Sequence, residues 1–123
     1  MVITDSGLDE AKRQQLDVFD IITHAGFGTG SGTAKSTNTA LTTETFRELI
    51  VDSVKTVSTG IYDITIRVPI TQGNSTILTE LGFFNQSSGG TMCGRLLFDN
   101  TFTKTSDDEY VSTLRIKAQP SNN

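Results

Sequence analysis

The residues whose types and spacing come closest to a chemical motif form one glycine-rich stretch, Gly26-Phe27-Gly28-Thr29-Gly30-Ser31-Gly32, with Lys35-Ser36 a few positions on. A glycine-rich turn after a strand can aim backbone N–H groups at phosphate oxygens, and a following Lys-Ser pair can add a charge and a metal-binding hydroxyl. That cradle needs glycine directly before Lys-Ser and at the head of the G-x-x-x-x-G-K pattern; Ala34 and Thr29 stand there instead. The dinucleotide pattern fails as well. None of Gly26, Gly28 and Gly30 opens a run with Gly or Ala three residues after its second glycine, and no helix-forming segment starts there. The stretch is therefore read as structural, not nucleotide-binding.

The remaining chemical candidates are thin. His24 stands alone at the end of an apolar run and Cys93 is the only cysteine, so neither a disulfide nor a cysteine-based zinc site can form within the chain. Cys93 is expected to behave as a small buried hydrophobe. Asp107-Asp108-Glu109, with Asp99 nearby, could supply oxygens to a cation. Adjacent residues in an extended loop point apart, however, and a solvated turn is the simpler reading. There is no H-E-x-x-H or G-x-S-x-G pattern. The expectation is a non-enzymatic protein without catalytic residues, cofactor or metal.

Composition narrows the class further. At 123 residues the chain is the size of one domain and can bury a core without disulfides. Its formal charge of −4 and its scattered Lys and Arg oppose a phosphate-neutralising surface, so nucleic acid is not an expected partner. No apolar run approaches the ~20 residues of a helical membrane span, and the N-terminus lacks the basic and apolar regions of a signal peptide. A soluble protein without a cleaved leader or membrane partner is expected.

The elements that must position these residues read as mainly β: an antiparallel β-sandwich of six to seven strands with one short N-terminal helix, in a single domain over 1–123. Ser6 with Asp9 resembles a capping box, which predicts a surface helix over 4–16. Residues 18–25 read as a strand, and 26–39 as an exposed glycine-rich loop. Residues 46–57 favour one strand by β-branched content, with a turn at Thr59-Gly60. Ile61-Tyr62-Asp63-Ile64-Thr65-Ile66-Arg67-Val68 alternates cleanly, with Tyr62, Ile64, Ile66 and Val68 on the core face. Residues 76–84 and 91–98 read as a hairpin around Ser87-Ser88-Gly89-Gly90. A turn is expected at Asp99-Asn100, a last strand over 110–118, and a polar tail over 119–123.

Three blocks in order carry a resemblance: a strand ending in Gly28-Thr29-Gly30 followed by Thr39-Ala40-Leu41-Thr42-Thr43-Glu44-Thr45-Phe46-Arg47; then Glu80-Leu81-Gly82-Phe83-Phe84; then Gly89-Gly90-Thr91-Met92. Together they resemble the small β-rich virion modules of tailed phages and tailed archaeal viruses, similar to the N-terminal region of tail-collar fibre proteins. The resemblance covers most of residues 1–118 and its motifs are structural. It implies a subunit of the tail, baseplate or fibre base that assembles in the host cytoplasm and docks on other virion proteins. It also implies a homo-oligomer, with a trimer as one form. Tail-collar fibres continue into a shaft and tip, whereas this sequence stops at Asn123, which favours a stand-alone subunit over a receptor-binding tip. A capsid decoration or turret protein is the alternative within that class. A carbohydrate-binding sandwich, stacking host glycans on Tyr62, Tyr110, Phe83 and Phe84, is the alternative outside it.

Two site expectations follow. A carboxylate inside an apolar strand is costly unless paired, so Glu80 needs a cation; Arg47 is expected to pair with Glu44 or Glu80 and anchor the long loop. The loop's middle, at Gly28, Gly30, Gly32 and Lys35, is expected to be free to order against a neighbouring subunit.

Overall fold

The computed structural model describes residues 1–56 and 61–117. Among these, the element order is β1 (Val2–Ile3), α1 (Asp5–Gln14), α2 (Val18–Ile21), β2 (His24–Gly28), β3 (Glu44–Leu49), β4 (Asp52–Thr56), β5 (Ile61–Val68), β6 (Thr76–Phe84), β7 (Met92–Lys104) and β8 (Tyr110–Lys117). The strands form two antiparallel sheets, one ordered β1-β7-β6-β2-β3 and the other β4-β5-β8. The protein is mainly β, as the turn-rich composition implies.

The two sheets share one apolar core. Alternation along β5 sends Tyr62, Ile64, Ile66 and Val68 to the same side, and all four are buried. They belong to one cluster with Phe27 of β2 and Leu78, Leu81 and Phe83 of β6 from the larger sheet. Phe19 of α2 closes one side by stacking on Tyr62 with ring centroids 3.8 Å apart. The Tyr62 hydroxyl donates to Asp17 at 2.9 Å, and burial, with Asp17 and Asp20 nearby, pushes its pKa up to about 12.

Several boundaries differ from the sequence reading for identifiable reasons. Thr4, not Ser6, caps α1: its hydroxyl accepts from Gly7 N at 3.0 Å and donates to the Met92 carbonyl, a long-range contact that local spacing does not show. Residues 18–25 do not form one strand. Asp17 accepts from Phe19 N and starts a helical turn that buries Val18, Phe19 and Ile21, and β2 begins only at His24. Gly26 and Gly28 lie inside β2, so the loop starts after them.

The expected strand over 46–57 is two strands in different sheets, and Val57 lies outside the described residues. The change of sheet occurs between adjacent residues, since Ile50 N bonds Thr23 O and Val51 N bonds Thr65 O. The turn at Thr59-Gly60, Ala118 and the tail over 119–123 also lie outside the described residues. The hairpin of β6 and β7 forms, but β7 runs on through Asp99-Asn100 to Lys104, with a register shift opposite Leu78 to Glu80 in place of a turn.

Cys93 is fully buried in β7, and burial, aided by the charge of Glu10, pushes its thiol up to about 11. A thiol-reactive chromophore at about pH 8 is expected to leave the native protein unlabelled and to react with one thiol once denaturant is added. Rapid labelling of the native chain would contradict this packing.

Candidate functional site

The larger sheet has two differently covered faces. Leu81 and Phe83 of β6 point to the shared core, so Glu80, Gly82 and Phe84 point the other way. That second face is roofed by the chain's own residues 29–43. Leu41 is packed into a small apolar cluster with Phe84 and Met92. Beside it lies a polar knot centred on Glu80, whose side chain is wholly inaccessible.

Four donors converge on the Glu80 carboxylate. Backbone N–H groups of Gly30, Thr42 and Thr43 donate at 2.9, 3.0 and 2.8 Å, and Arg95 Nη2 donates at 2.9 Å. Burial alone raises the pKa of this carboxyl. The Thr43 amide, Arg95 and the Thr42 and Gly30 amides outweigh burial and hold it below the ordinary carboxylate range. Arg95, itself buried, extends the knot into the loop. Its Nη1 reaches Thr33 O at 3.0 Å and Asn38 Oδ1 at 3.1 Å, and its Nη2 reaches Ser31 O at 3.3 Å and Thr42 Oγ1 at 3.0 Å.

The glycines make this approach possible. A Cβ on Gly28 would lie 2.4 Å from Thr43 O and 2.6 Å from Glu80 Oε2. One on Gly30 would lie 2.4 Å from both Glu80 Oε2 and Thr42 Cβ. Side chains at either position would push the loop off the carboxylate. The glycine pattern therefore matches a requirement for close backbone approach to a protein carboxylate.

A second junction lies at the hairpin end. Arg47 grips Glu44 with two bonds, from Nε at 2.7 Å and Nη2 at 2.8 Å. Its Nη1 donates to Gln86 O at 2.9 Å and Gly89 O at 2.8 Å, and its guanidinium carbon lies 3.6 Å from the Phe84 ring centroid. A shallow depression of about 310 Å³ runs between Glu44 to Arg47 and the turn at Ser87, Ser88 and Gly89. The Arg47 guanidinium on its floor is committed to Glu44 and the two turn carbonyls.

Of the expected site residues, Arg47 and Glu44 pair, while Glu80 is paired with Arg95 and not with Arg47. Register supplies the reason: Glu80 faces Leu97 and Arg95 faces Gly82 across the hairpin, so the two side chains are diagonal neighbours on one face. The expected free loop is corrected too. Gly28 and Gly30 are interior, and the loop's middle is tied by Arg95 and by the bond from Asp5 N to Ser36 O at 2.8 Å. Gly32 and Lys35 remain at the surface. His24 lies at the start of β2, its Nδ1 2.7 Å from the Thr23 hydroxyl. Asp108 accepts from Thr105 Oγ1 at 2.8 Å and Glu109 from Arg67 Nε at 2.8 Å, so these two carboxylates are turned to separate partners.

Replacing Glu80 by Gln leaves Arg95 buried without its counter-charge and is expected to destabilise the fold by about 3–5 kcal/mol in urea titration. The depressed pKa fixes the sign of the pH effect. Stabilisation by Glu80 is complete above its unfolded value near 4.5, and is lost as pH falls through the lower folded value. The stability gap between wild type and Glu80→Gln should therefore narrow in acid; a gap that is constant or widens in acid would contradict the assignment. No family model, curated protein or solved structure matches the chain.

Proposed function

We propose that the protein is a non-enzymatic structural subunit of a tailed-virus particle, in the tail, baseplate or fibre base, where it docks on other virion proteins. One observation carries this reading. The residue blocks that resemble the tail-collar module converge on one architectural feature: Gly30, Thr42 and Thr43 on Glu80, Leu41 over Phe84, and Arg47 on the Gln86 and Gly89 carbonyls. These motif residues hold a long polar loop against a sheet, which suits a docking module.

The aromatic residues expected to stack glycans are otherwise engaged. Tyr62, Phe83 and Phe84 are buried, and Tyr110 is half-buried and stacked on Phe102 at 4.7 Å. A sugar platform needs an open ring face, and of these four only Tyr110 retains partial exposure.

Quantitative mass spectrometry of particles purified from producing cells tests the reading. The chain is expected in the particles at a small fraction of the abundance of the major capsid protein. Abundance matching the capsomers would move it to the capsid surface as a decoration or turret protein, and recovery only in the soluble host fraction would contradict a virion role.

A further inference from the structure

We propose that the outer edge of β8 is a self-association surface, on which the β8 strands of two copies pair antiparallel about a two-fold axis at Thr113. The inference deepens the homo-oligomer that the tail-collar resemblance implies, and rests on the proposed virion role only for the expectation that subunits assemble with one another.

β8 ends the smaller sheet, and among the described residues no strand pairs with its outer side. An open edge presents a row of N–H and C=O groups that another strand can complete, and proteins normally blunt such edges with bulges, proline or covering segments. The other edges show such measures. Gln72 reaches over β3 to Glu48 at 3.1 Å, and Gly73 lies against the Phe46 ring of the same strand. β7 is capped by β1 at Gly94 and Arg95, and its later half carries the register shift. β4 is five residues long.

Among the described residues, β8 shows none of these. It pairs with β5 in unbroken register from Ile61↔Lys117 to Val68↔Tyr110, and contains no proline. Its outward face carries cross-strand pairs: Thr65 with Thr113 at 2.9 Å, Arg115 with Asp63 at 2.9 and 3.0 Å, and Arg67 with Glu109 at 2.8 Å. Val111 on that face is 54% exposed.

Charge along the strand selects both occupant and direction. Asp107, Asp108 and Glu109 precede β8, while Arg115 and Lys117 lie at its far end. Antiparallel pairing about Thr113 sets Val111 of each copy opposite Arg115 of the other, with Glu109 diagonal to that arginine on the same face. Acid meets base twice, symmetrically. A parallel arrangement would set like charges together, which is unfavourable across strands. A two-fold contact is also self-complementary and closes without further copies.

The test uses the purified full chain. Light scattering after gel filtration is expected to give a dimer mass for wild type and a monomer mass for Thr113→Lys, whose two ammonium groups would face each other across the axis. Unchanged circular dichroism would show that the variant folds. Thr113→Cys is expected to form a covalent dimer under mild oxidation, because residues opposite each other across an antiparallel pair are close neighbours. Leu49→Cys, exposed on β3, is expected not to. A monomeric or trimeric wild type, a dimer that survives Thr113→Lys, or equal cross-linking through Leu49→Cys would overturn the proposal. A β8 dimer absent from particles would contradict the virion role alone, whereas a monomer present in particles would contradict the pairing alone.

Discussion

A carboxylate sealed inside a β-sheet protein must be met by donors, because the cost of taking it from water is several kcal/mol. Glu80 is such a group, and its oxygens draw in Arg95 and three backbone amides from a loop 37 to 50 residues away in sequence. Much of the structure on this side of the sheet follows from that demand. The loop must fold back over β2 and β6 to deliver its amides, so β2 carries glycine where its side chains would block the way. Arg95 in turn needs acceptors, and the carbonyls of Ser31 and Thr33 and the side chains of Asn38 and Thr42 provide them. A segment that would otherwise be a polar excursion becomes a second layer of the fold.

The two faces of the larger sheet are thus held by different physics. The face toward β5 is closed by ordinary apolar packing, non-directional and tolerant of small shifts. The face toward the loop is closed mainly by directional bonds, with only Leu41, Phe84 and Met92 adding an apolar cluster. Directional closure specifies a unique loop path, but it depends on one charge pair. Arg47 repeats the device at the hairpin end on a smaller scale, joining the strand that leaves the loop to the turn at residues 86–89.

Much of this was legible in the sequence. The alternation in β5 and the hairpin of β6 and β7 follow from period and turn residues, and the need for a cation at Glu80 follows from its apolar surroundings. The identity of that cation was also within reach. A hairpin centred on Ser87-Ser88 brings residues near 80 and 95 to the same level, and Arg95 sits inside an apolar strand with the same need for a partner as Glu80. Helical spacing of Val18, Ile21 and Ile22 marked the turn of α2, which the alternation of Phe19, Ile21 and Thr23 obscured. What could not be read locally are the features set by distant contacts. The Thr4 cap depends on the Met92 carbonyl, the sheet change at Ile50 and Val51 depends on Thr23 and Thr65, and the continuation of β7 through Asp99 depends on pairing with β6.

The amides of Gly30, Thr42 and Thr43 report directly on whether Glu80 organises the loop. Residue-resolved hydrogen exchange is the decisive measurement, because an amide bonded to a buried carboxylate exchanges only when the surrounding structure opens. If Glu80 holds the loop, these three amides will be protected to the same degree as the central strand residues of β2 and β6. Exchange at the rate of a solvent-exposed loop would show that the loop stands free of the sheet, and that Glu80 is satisfied in some other way.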